Sequence, residues 1–313
     1  MAFTAFRGMK PWPQFVLTAF VVVICFLVLF VISLLIAIPV FGLNEMLASL
    51  AGGKLDDPQT IVILKYFQVT QSLGLFVIPP LVIAWLLEGN VAAYLHLDRP
   101  VLWRPALHAV WILLVFGPFV SYMGQLNSEM SFPAFLSDLE KWMRGMEDQA
   151  ENLIDRFIRV ETTGGLLFNL VMIAVIPAIG EEFLFRGVIQ KIFTNMTRNY
   201  HWGIWISAIL FSSLHMQFYG FIPRMLLGAL FGYILVYSRS LWLPVLCHFV
   251  NNALGVLALY AGTKGQEDVE KIANYEFGAS APIMWSIALI SLLFTIVLLV
   301  WMKTLNMAST HSE

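Results

Sequence analysis

The stretch "IPAIGEEFLFRG", Ile176–Gly187, places two adjacent glutamates and an arginine inside a segment that is otherwise apolar enough for a membrane helix. An ionisable side chain at the centre of a bilayer costs about 2.5–3.5 kcal/mol on insertion scales. Glu181, Glu182 and Arg186 therefore need partners on neighbouring helices or a water-filled cavity. The stretch predicts a bundle of membrane helices with a polar site in its interior.

The composition places the whole chain in a membrane. Of its 313 residues, 59% are hydrophobic and 12% are charged, whereas soluble domains are about half apolar and one quarter charged. This excess indicates an integral, multi-pass membrane protein whose lipid-facing surface is apolar as well. The net charge of -2 comes without a basic stripe. We therefore expect membrane lipids, and no nucleic acid, among its partners.

Apolar stretches of about 20 residues, the length that crosses a bilayer, recur along the chain. We place them at residues 15–43, 60–87, 106–124, 165–190, 202–219, 221–238, 241–261 and 282–302. They predict an all-α, polytopic bundle of about eight transmembrane helices that forms one domain, residues 1–313. Pro79–Pro80 and Pro177 are expected to kink the second and fourth helices.

The charges between these stretches predict the orientation, because short cytoplasmic segments are rich in Lys and Arg. With the N-terminus inside, the inner segments carry Arg7, Lys10, Arg99, Arg104, Lys191, Arg198, Arg239 and Lys303. Most acidic residues fall in the outer segments 44–58, 125–163 and 262–281. We expect both termini to be cytoplasmic and the membrane to be a bacterial cytoplasmic membrane.

The acidic segment 125–163 has a helical pattern of its own. Apolar residues recur there every three or four positions: Leu136, Leu139, Met143, Met146, Ala150, Leu153 and Phe157. Charged side chains occupy the other faces, which predicts an extramembrane amphipathic helix on the outer surface or over the bundle. An ordinary solvated connection is the alternative.

Helix geometry separates the three charges of the opening stretch. Glu182 and Arg186 are four residues apart, so they share a face and can form an ion pair. Glu181 is rotated about 100° from Glu182. We expect Glu181 to seek a partner on another helix, where a carboxylate beside a histidine and a water is a candidate general base.

Two later apolar segments offer such partners. "FSSLH" places His215 four residues after Phe211, and "HFVNN" places Asn252 four residues after His248. One carboxylate, two imidazoles and one carboxamide suit the attack of water on an amide, which needs a base, an acid and oxyanion donors. Taken singly, the Glu–Arg pair could be a structural clamp, a histidine could be interfacial, and an asparagine could join helices.

Together these motifs resemble the CPBP family, the type II CAAX prenyl endopeptidases and their bacterial relatives, also called Abi proteins. "EEFLFR" matches the family's EExxxR motif, "FSSLH" its FxxxH motif and "HFVNN" its HxxxN motif, in the same order. The resemblance covers residues 165–260, which would form the catalytic helix core.

The resemblance implies an intramembrane endopeptidase that cleaves a protein or peptide in or near the membrane. Glu181 and His215 would activate water, and His248 and Asn252 would form the oxyanion site. Glu182, Arg186 and Phe211 would support these four. Such proteins have often been called metalloproteases, and Glu181, His215 and His248 would be the zinc ligands. The spacing is not that of an HExxH helix, so we favour a metal-independent mechanism, with zinc as the alternative.

Other functions remain as competitors. The main one is a non-enzymatic membrane protein of the same fold, such as a bacteriocin self-immunity factor or a scaffold, although a scaffold has no need of all four catalytic-type residues. A transporter is disfavoured because matching halves with broken helices are not evident. A cysteine nucleophile is disfavoured because Cys247 and His248 are adjacent, and neighbours on a helix point about 100° apart.

Overall fold

The computed structural model describes residues 5–53, 55–99, 101–160, 162–263 and 281–310, and these residues are helical with short connections. The helices are α1 Pro11–Phe41, α2 Leu43–Leu50, α3 Pro58–Leu87, α4 Val91–Tyr94, α5 Trp103–Ser128, α6 Ser137–Ile158, α7 Thr163–Thr197, α8 Tyr200–Ser213, α9 Phe221–Ser238, α10 Trp242–Thr263 and α11 Ala281–Thr310. The all-α bundle is confirmed. Most of the predicted outer segment 262–281 lies outside the described residues.

Seven helices of the described chain are long and apolar enough to cross a membrane, rather than about eight. They are α1, α3, α5, α7, α9, α10 and α11. The predicted span 202–219 differs, because α8 ends at Ser213 after 14 residues. At about 1.5 Å per residue such a helix is shorter than the hydrocarbon core. The chain after it is a loop that carries His215.

The predicted proline sites coincide with π-helical turns. In α3 the π-helical turn Leu73–Val77 directly precedes Pro79 and Pro80. In α7 the turn Leu170–Val175 directly precedes Pro177. Proline has no N–H for the regular ladder, and a wider turn is one way in which a helix continues past it. Both helices therefore run on through their prolines.

Helix α7 lies at the centre of the bundle. All ten residues from 181 to 190 are buried, whereas α1 and α11 expose most of their apolar side chains, as lipid-facing helices do. Close approach of α7 to α3 depends on Gly180. A Cβ at this position would lie 2.8 Å from Cβ of Phe76, so any larger residue would push the two helices apart.

The predicted amphipathic helix is confirmed as α6, Ser137–Ile158. Its C-terminal end is fixed to the bundle by Lys65 of α3. The Lys65 ammonium donates to the carbonyl of Phe157 at 2.7 Å and to Oδ1 of Asn169 at 2.9 Å. These bonds satisfy a carbonyl that the end of a helix leaves free. The placement of α6 on the outer membrane surface stays a prediction.

Local capping explains where α3 begins. Asp57 accepts hydrogen bonds from the backbone N–H groups of Gln59 and Thr60, and Pro58 occupies the first helical position. Proline is suited to this position because the N–H it lacks would be unpaired there. The hydrogen bonds from Thr60 hold the pKa of Asp57 below its usual value.

Candidate active site

The ion pair predicted within α7 is present and fully buried. Arg186 Nη1 lies 2.8 Å from Oε1 of Glu182, and the two side chains are 1% and 0% exposed. The second guanidinium nitrogen, Nη2, donates to the carbonyl of Gly228 in α9 at 3.1 Å. A Cβ at Gly228 would lie 3.1 Å from that nitrogen. Glycine therefore lets the arginine reach the backbone of the neighbouring helix.

His248 of α10 lies between the two glutamates of α7. Its Nδ1 donates to Oε1 of Glu182 at 2.8 Å, and its Nε2 lies 3.7 Å from Oε2 of Glu181. A carboxylate oxygen can only accept, so Nδ1 carries a proton. The contact at Nε2 is favourable only if a second proton lies on Nε2 or on Glu181. At 3.7 Å the two atoms are close neighbours without a hydrogen bond between them.

This arrangement gives the two adjacent carboxylates different tasks. One oxygen of Glu182 binds both Arg186 and His248, and the side chain is fully buried, so Glu182 fixes the orientation of the imidazole. The Glu181 side chain is 11% exposed and makes only the longer contact to His248. Glu181 is therefore the carboxylate that water can reach.

His215 lies in the loop after α8. Its Nδ1 is 2.8 Å from the carbonyl of Phe211. This carbonyl belongs to the last turn of α8, and the N–H of His215 donates to Ser212 instead. Because a carbonyl only accepts, Nδ1 carries the proton, and Nε2 of the neutral ring holds a lone pair. Nε2 of His215 is thereby left as a hydrogen-bond acceptor.

The ring of Phe211 lies close to both histidines and to the guanidinium of Arg186. Its ring centroid lies 4.9 Å from that of His215 and 6.1 Å from that of His248. The guanidinium of Arg186 lies over the same ring, 4.6 Å from its centroid. Phe231 of α9 stacks on His248 at 5.4 Å. The two histidines thus share an aromatic wall that restricts the rotation of both rings.

Asn252 lies one turn after His248 on α10, and its Oδ1 accepts a hydrogen bond from Nδ2 of Asn251 at 3.2 Å. Nδ2 of Asn252 donates to the carbonyl of Ile173 at 3.1 Å. Residue 177 is proline and cannot give this carbonyl the usual i+4 hydrogen bond, so Asn252 replaces that bond. The second hydrogen on Nδ2 stays free for another acceptor. The catalytic role of Asn252 stays a prediction.

The described side chains do not form a zinc site. No group of three or more His, Cys, Asp or Glu side chains in the described ranges is placed to hold a metal ion. Nδ1 of His248 is taken by Glu182, and Nδ1 of His215 is taken by the carbonyl of Phe211. We therefore derive no step through zinc.

Two apolar recesses flank this cluster. The larger, about 660 Å³, lies between α5, α9 and α10 and includes Asn251 and Pro223 in its lining. The smaller, about 400 Å³, lies between α7 and α10 and includes Ile179 and Phe249. Neither is lined by any of the four candidate catalytic residues. Among the residues that line the larger recess, Asn251 comes nearest to the site, because it is adjacent in sequence to Asn252.

Comparison with known families now bears on this geometry. Residues 163–254 match the family model described as type II CAAX prenyl endopeptidase Rce1-like. This segment is therefore similar to Rce1-like domains. It runs from the start of α7 through most of α10 and so contains the three sequence motifs and every contact of the buried cluster.

Two curated relatives are similar to part of the chain. The uncharacterized protein YpbD of Bacillus subtilis (strain 168) is 27% identical over 90 residues, 28% of this chain and 43% of the relative. An uncharacterized 24.3 kDa protein of Escherichia coli is 27% identical over 115 residues, 34% of this chain and 52% of the relative. The chain thus spans about half the length of the relatives it matches. No solved structure matches it at a comparable level of significance.

The sequence analysis missed one contact within residues 163–254, the hydrogen bond between His248 and Glu182. It assigned Arg186 as the partner of Glu182 and left His248 to the oxyanion site, whereas the structure adds the bond from His248 to Glu182. The motif "HFVNN" identified His248 as a candidate site residue. It did not show which of the two glutamates of α7 this histidine contacts.

Cys247 packs away from the cluster. It is 0% exposed and belongs to an apolar core that includes Ile112 of α5 and Phe231 of α9. We predict that Cys247→Ala keeps at least about half of the wild-type cleavage rate, because a small buried thiol contributes packing and no chemistry here. Single-turnover cleavage by purified enzyme measures this. A loss of activity as large as that expected for a Glu181 variant would instead indicate that Cys247 is the nucleophile.

Proposed function

We propose that this protein is an intramembrane endopeptidase that hydrolyses a peptide bond in or beside the membrane. The observation that carries the proposal is the position of His248 between Glu181 and Glu182, 2.8 Å from Glu182 through Nδ1 and 3.7 Å from Glu181 through Nε2. A structural clamp would need only Glu182 and Arg186. The match of residues 163–254 to an endopeptidase family supports the same reaction class.

The proposed reaction begins with a water between the substrate carbonyl and Glu181. Glu181 and the lone pair on His215 Nε2 accept its proton as the oxygen attacks the carbonyl carbon. The oxyanion receives hydrogen bonds from His248 Nε2 and from the second Nδ2 hydrogen of Asn252. Breakdown of the tetrahedral intermediate returns the proton to the leaving nitrogen. One water is consumed, and a carboxylic acid and an amine are released.

The substrate is proposed to be a protein or peptide whose cleavage site lies close to the bilayer, with membrane lipids as the surroundings and no nucleic acid involved. The multi-pass helices place the cluster among apolar side chains, so a soluble peptide would have to enter the membrane. Prenylation is a property of the substrate protein, and the fold of the enzyme does not determine it.

We further propose a bacterial cytoplasmic membrane with both termini cytoplasmic. An even number of crossings is then required. Helix α8 supplies the eighth crossing together with the loop that follows it, because it starts beside the C-terminal end of α7 and its loop contacts α6. The outer segment 125–163 contains α6, so the His215 loop faces the outer side in this orientation.

The test of the function compares host membranes that contain the protein with membranes from cells that lack it. New protein N-termini and C-termini are identified by mass spectrometry in both samples. We expect a small set of cleavage sites next to predicted membrane segments that depends on the protein and returns on re-expression. Identical termini in the two samples under all growth conditions in which the protein is made would contradict an endopeptidase.

The purified protein is predicted to keep its activity in the presence of a zinc chelator. The reason is that Nδ1 of His215 and Nδ1 of His248 are taken by a carbonyl and a carboxylate, and that no three His, Cys, Asp or Glu side chains of the described residues are placed to hold a metal ion. Cleavage before and after dialysis against the chelator, with metal content measured on the same sample, checks this. Stoichiometric zinc, with activity lost to the chelator and restored by zinc alone, would establish a metalloprotease.

A further inference from the structure

The loop that carries His215 is held by the amphipathic helix. Residues 214–220, here called the His215 loop, join α8 to α9. The backbone N–H of Tyr219 donates to Oε2 of Glu147 at 3.1 Å. Phe218 packs on Trp142 with ring centroids 5.3 Å apart, and the guanidinium of Arg144 stands 4.3 Å from the centroid of Tyr219. Three residues of α6 thus contact two consecutive residues of the loop.

The loop has little stability of its own. Its first residues form a short turn in which Met216 adopts a φ of 55°, a conformation that side chains other than glycine rarely take. Leu214 and Met216 are 64% and 40% exposed, so they add no apolar core. Contacts from outside must therefore hold the turn, because few contacts form within it.

Three further hydrogen bonds involve side chains of α5 and α9. Asn127 at the end of α5 donates to the carbonyl of Phe218 at 3.0 Å and accepts from the N–H of Ile222 at 2.7 Å. Arg224 donates to Oε1 of Gln217 at 2.8 Å. Residues 217, 218 and 219 are therefore each bound by a different helix, and only the bond to Tyr219 comes from the extramembrane helix α6.

We infer that Glu147 is a positioning residue of the site: by accepting the N–H of Tyr219, it fixes the His215 loop and with it the imidazole of His215. The inference rests on the proposed function, in which His215 Nε2 accepts a proton from water. It makes α6 a working part of the site rather than a connection between α5 and α7. Glu147 touches no reacting atom and acts only through the loop.

Glu147 could act through its charge instead, because its carboxylate lies close enough to interact with the guanidinium of Arg224. Glutamine separates the two effects. In Glu147→Gln the amide oxygen can still accept from Tyr219, whereas the charge is gone. In Glu147→Ala both are lost. Glu151→Ala is the matched control, because Glu151 lies one turn further along α6 and is exposed.

The experiment measures kcat and KM of the four full-length proteins on one cleaved substrate. We expect kcat of Glu147→Ala to fall about tenfold with KM within about twofold, because a displaced proton acceptor slows chemistry more than binding. Glu147→Gln should stay within about threefold of wild type, since an amide oxygen still accepts the bond. Glu151→Ala should be unchanged. Equal kcat for Glu147→Ala and wild type, or equal losses for alanine and glutamine, would overturn the inference.

Folding and function are separated by two further samples. If Glu147→Ala unfolds at a clearly lower temperature than Glu151→Ala, the inference is judged on Glu147→Asp, whose carboxylate is one methylene shorter and is expected to lower kcat several-fold. A Glu147→Asp variant with wild-type kcat would then contradict it. Glu181→Gln is assayed in parallel. If Glu181→Gln is active, the proposed function fails; if it is inactive while Glu147→Ala is fully active, only the positioning role fails.

Discussion

Replacement of Glu181 by glutamine is expected to lower kcat by about 10²–10⁴-fold, the contribution of a positioned general base. The amide cannot take the proton of the attacking water, and the carboxylate charge that lies 3.7 Å from Nε2 of His248 is lost as well. Glu181→Ala is expected to be as inactive. No other carboxylate can replace it, because Glu182 is fully buried and already binds Arg186 and His248.

The glutamine variant should fold like the wild type. Its side chain has nearly the same volume, and its amide can donate to the Nε2 that the carboxylate faced. Asp148→Asn on the exposed side of α6 is the control for removal of one negative charge. The measurements are cleavage rate and thermal unfolding in the same detergent. A Glu181→Ala variant that supports the full biological role in cells would favour the non-enzymatic alternative, a scaffold or self-immunity factor.

Local spacing is what sequence could predict in this site. The pair of Glu182 and Arg186 follows from four residues on one helix, and the structure confirms it at 2.8 Å. The helical character of 137–158 followed from apolar residues at helical spacing and is confirmed as α6. Each of these depends on one helix alone, so no knowledge of how helices pack against one another was needed.

Contacts between helices were harder to predict. The bond of His248 to Glu182 depends on how α10 is rotated against α7, which the period of either helix leaves undetermined. Asn252 binds the carbonyl of Ile173 because Pro177 leaves that carbonyl free, a link between residues almost 80 positions apart. The short α8 was missed for another reason: apolarity continues through residues 214 and 216 after the helix has ended at Ser213.

The polar cluster also shows why an apolar bundle tolerates charges. The guanidinium of Arg186 balances the carboxylate of Glu182, His248 donates to the same carboxylate oxygen, and three helices supply the partners. Burial of an unbalanced pair would be strongly unfavourable. Glu181 lies beside this pair as the more exposed carboxylate. Stability and the proposed chemistry therefore depend on the same four side chains.

Replacement of Arg186 by methionine is accordingly expected to have the largest effect on stability, about 3–5 kcal/mol, because it leaves the Glu182 carboxylate buried without its cation. Arg186 is 1% exposed and also satisfies the carbonyl of Gly228. The variant should be poorly expressed, or should unfold at a much lower denaturant concentration in mixed micelles. Arg159→Met, which breaks an exposed ion pair with Asp155 at the end of α6, should change the free energy of unfolding by about 1 kcal/mol or less.

The double variant Glu182→Gln/Arg186→Met tests the cause of that loss. It removes both charges of the buried pair, and the new amide oxygen can still accept from Nδ1 of His248, so we expect it to recover more than half of the lost stability. Its activity should remain low, because an amide orients the imidazole but stabilises its protonated form less than a carboxylate does. If the double variant is as unstable as Arg186→Met alone, the instability comes from the lost packing on Phe211 and the bond to Gly228, and not from an uncompensated charge.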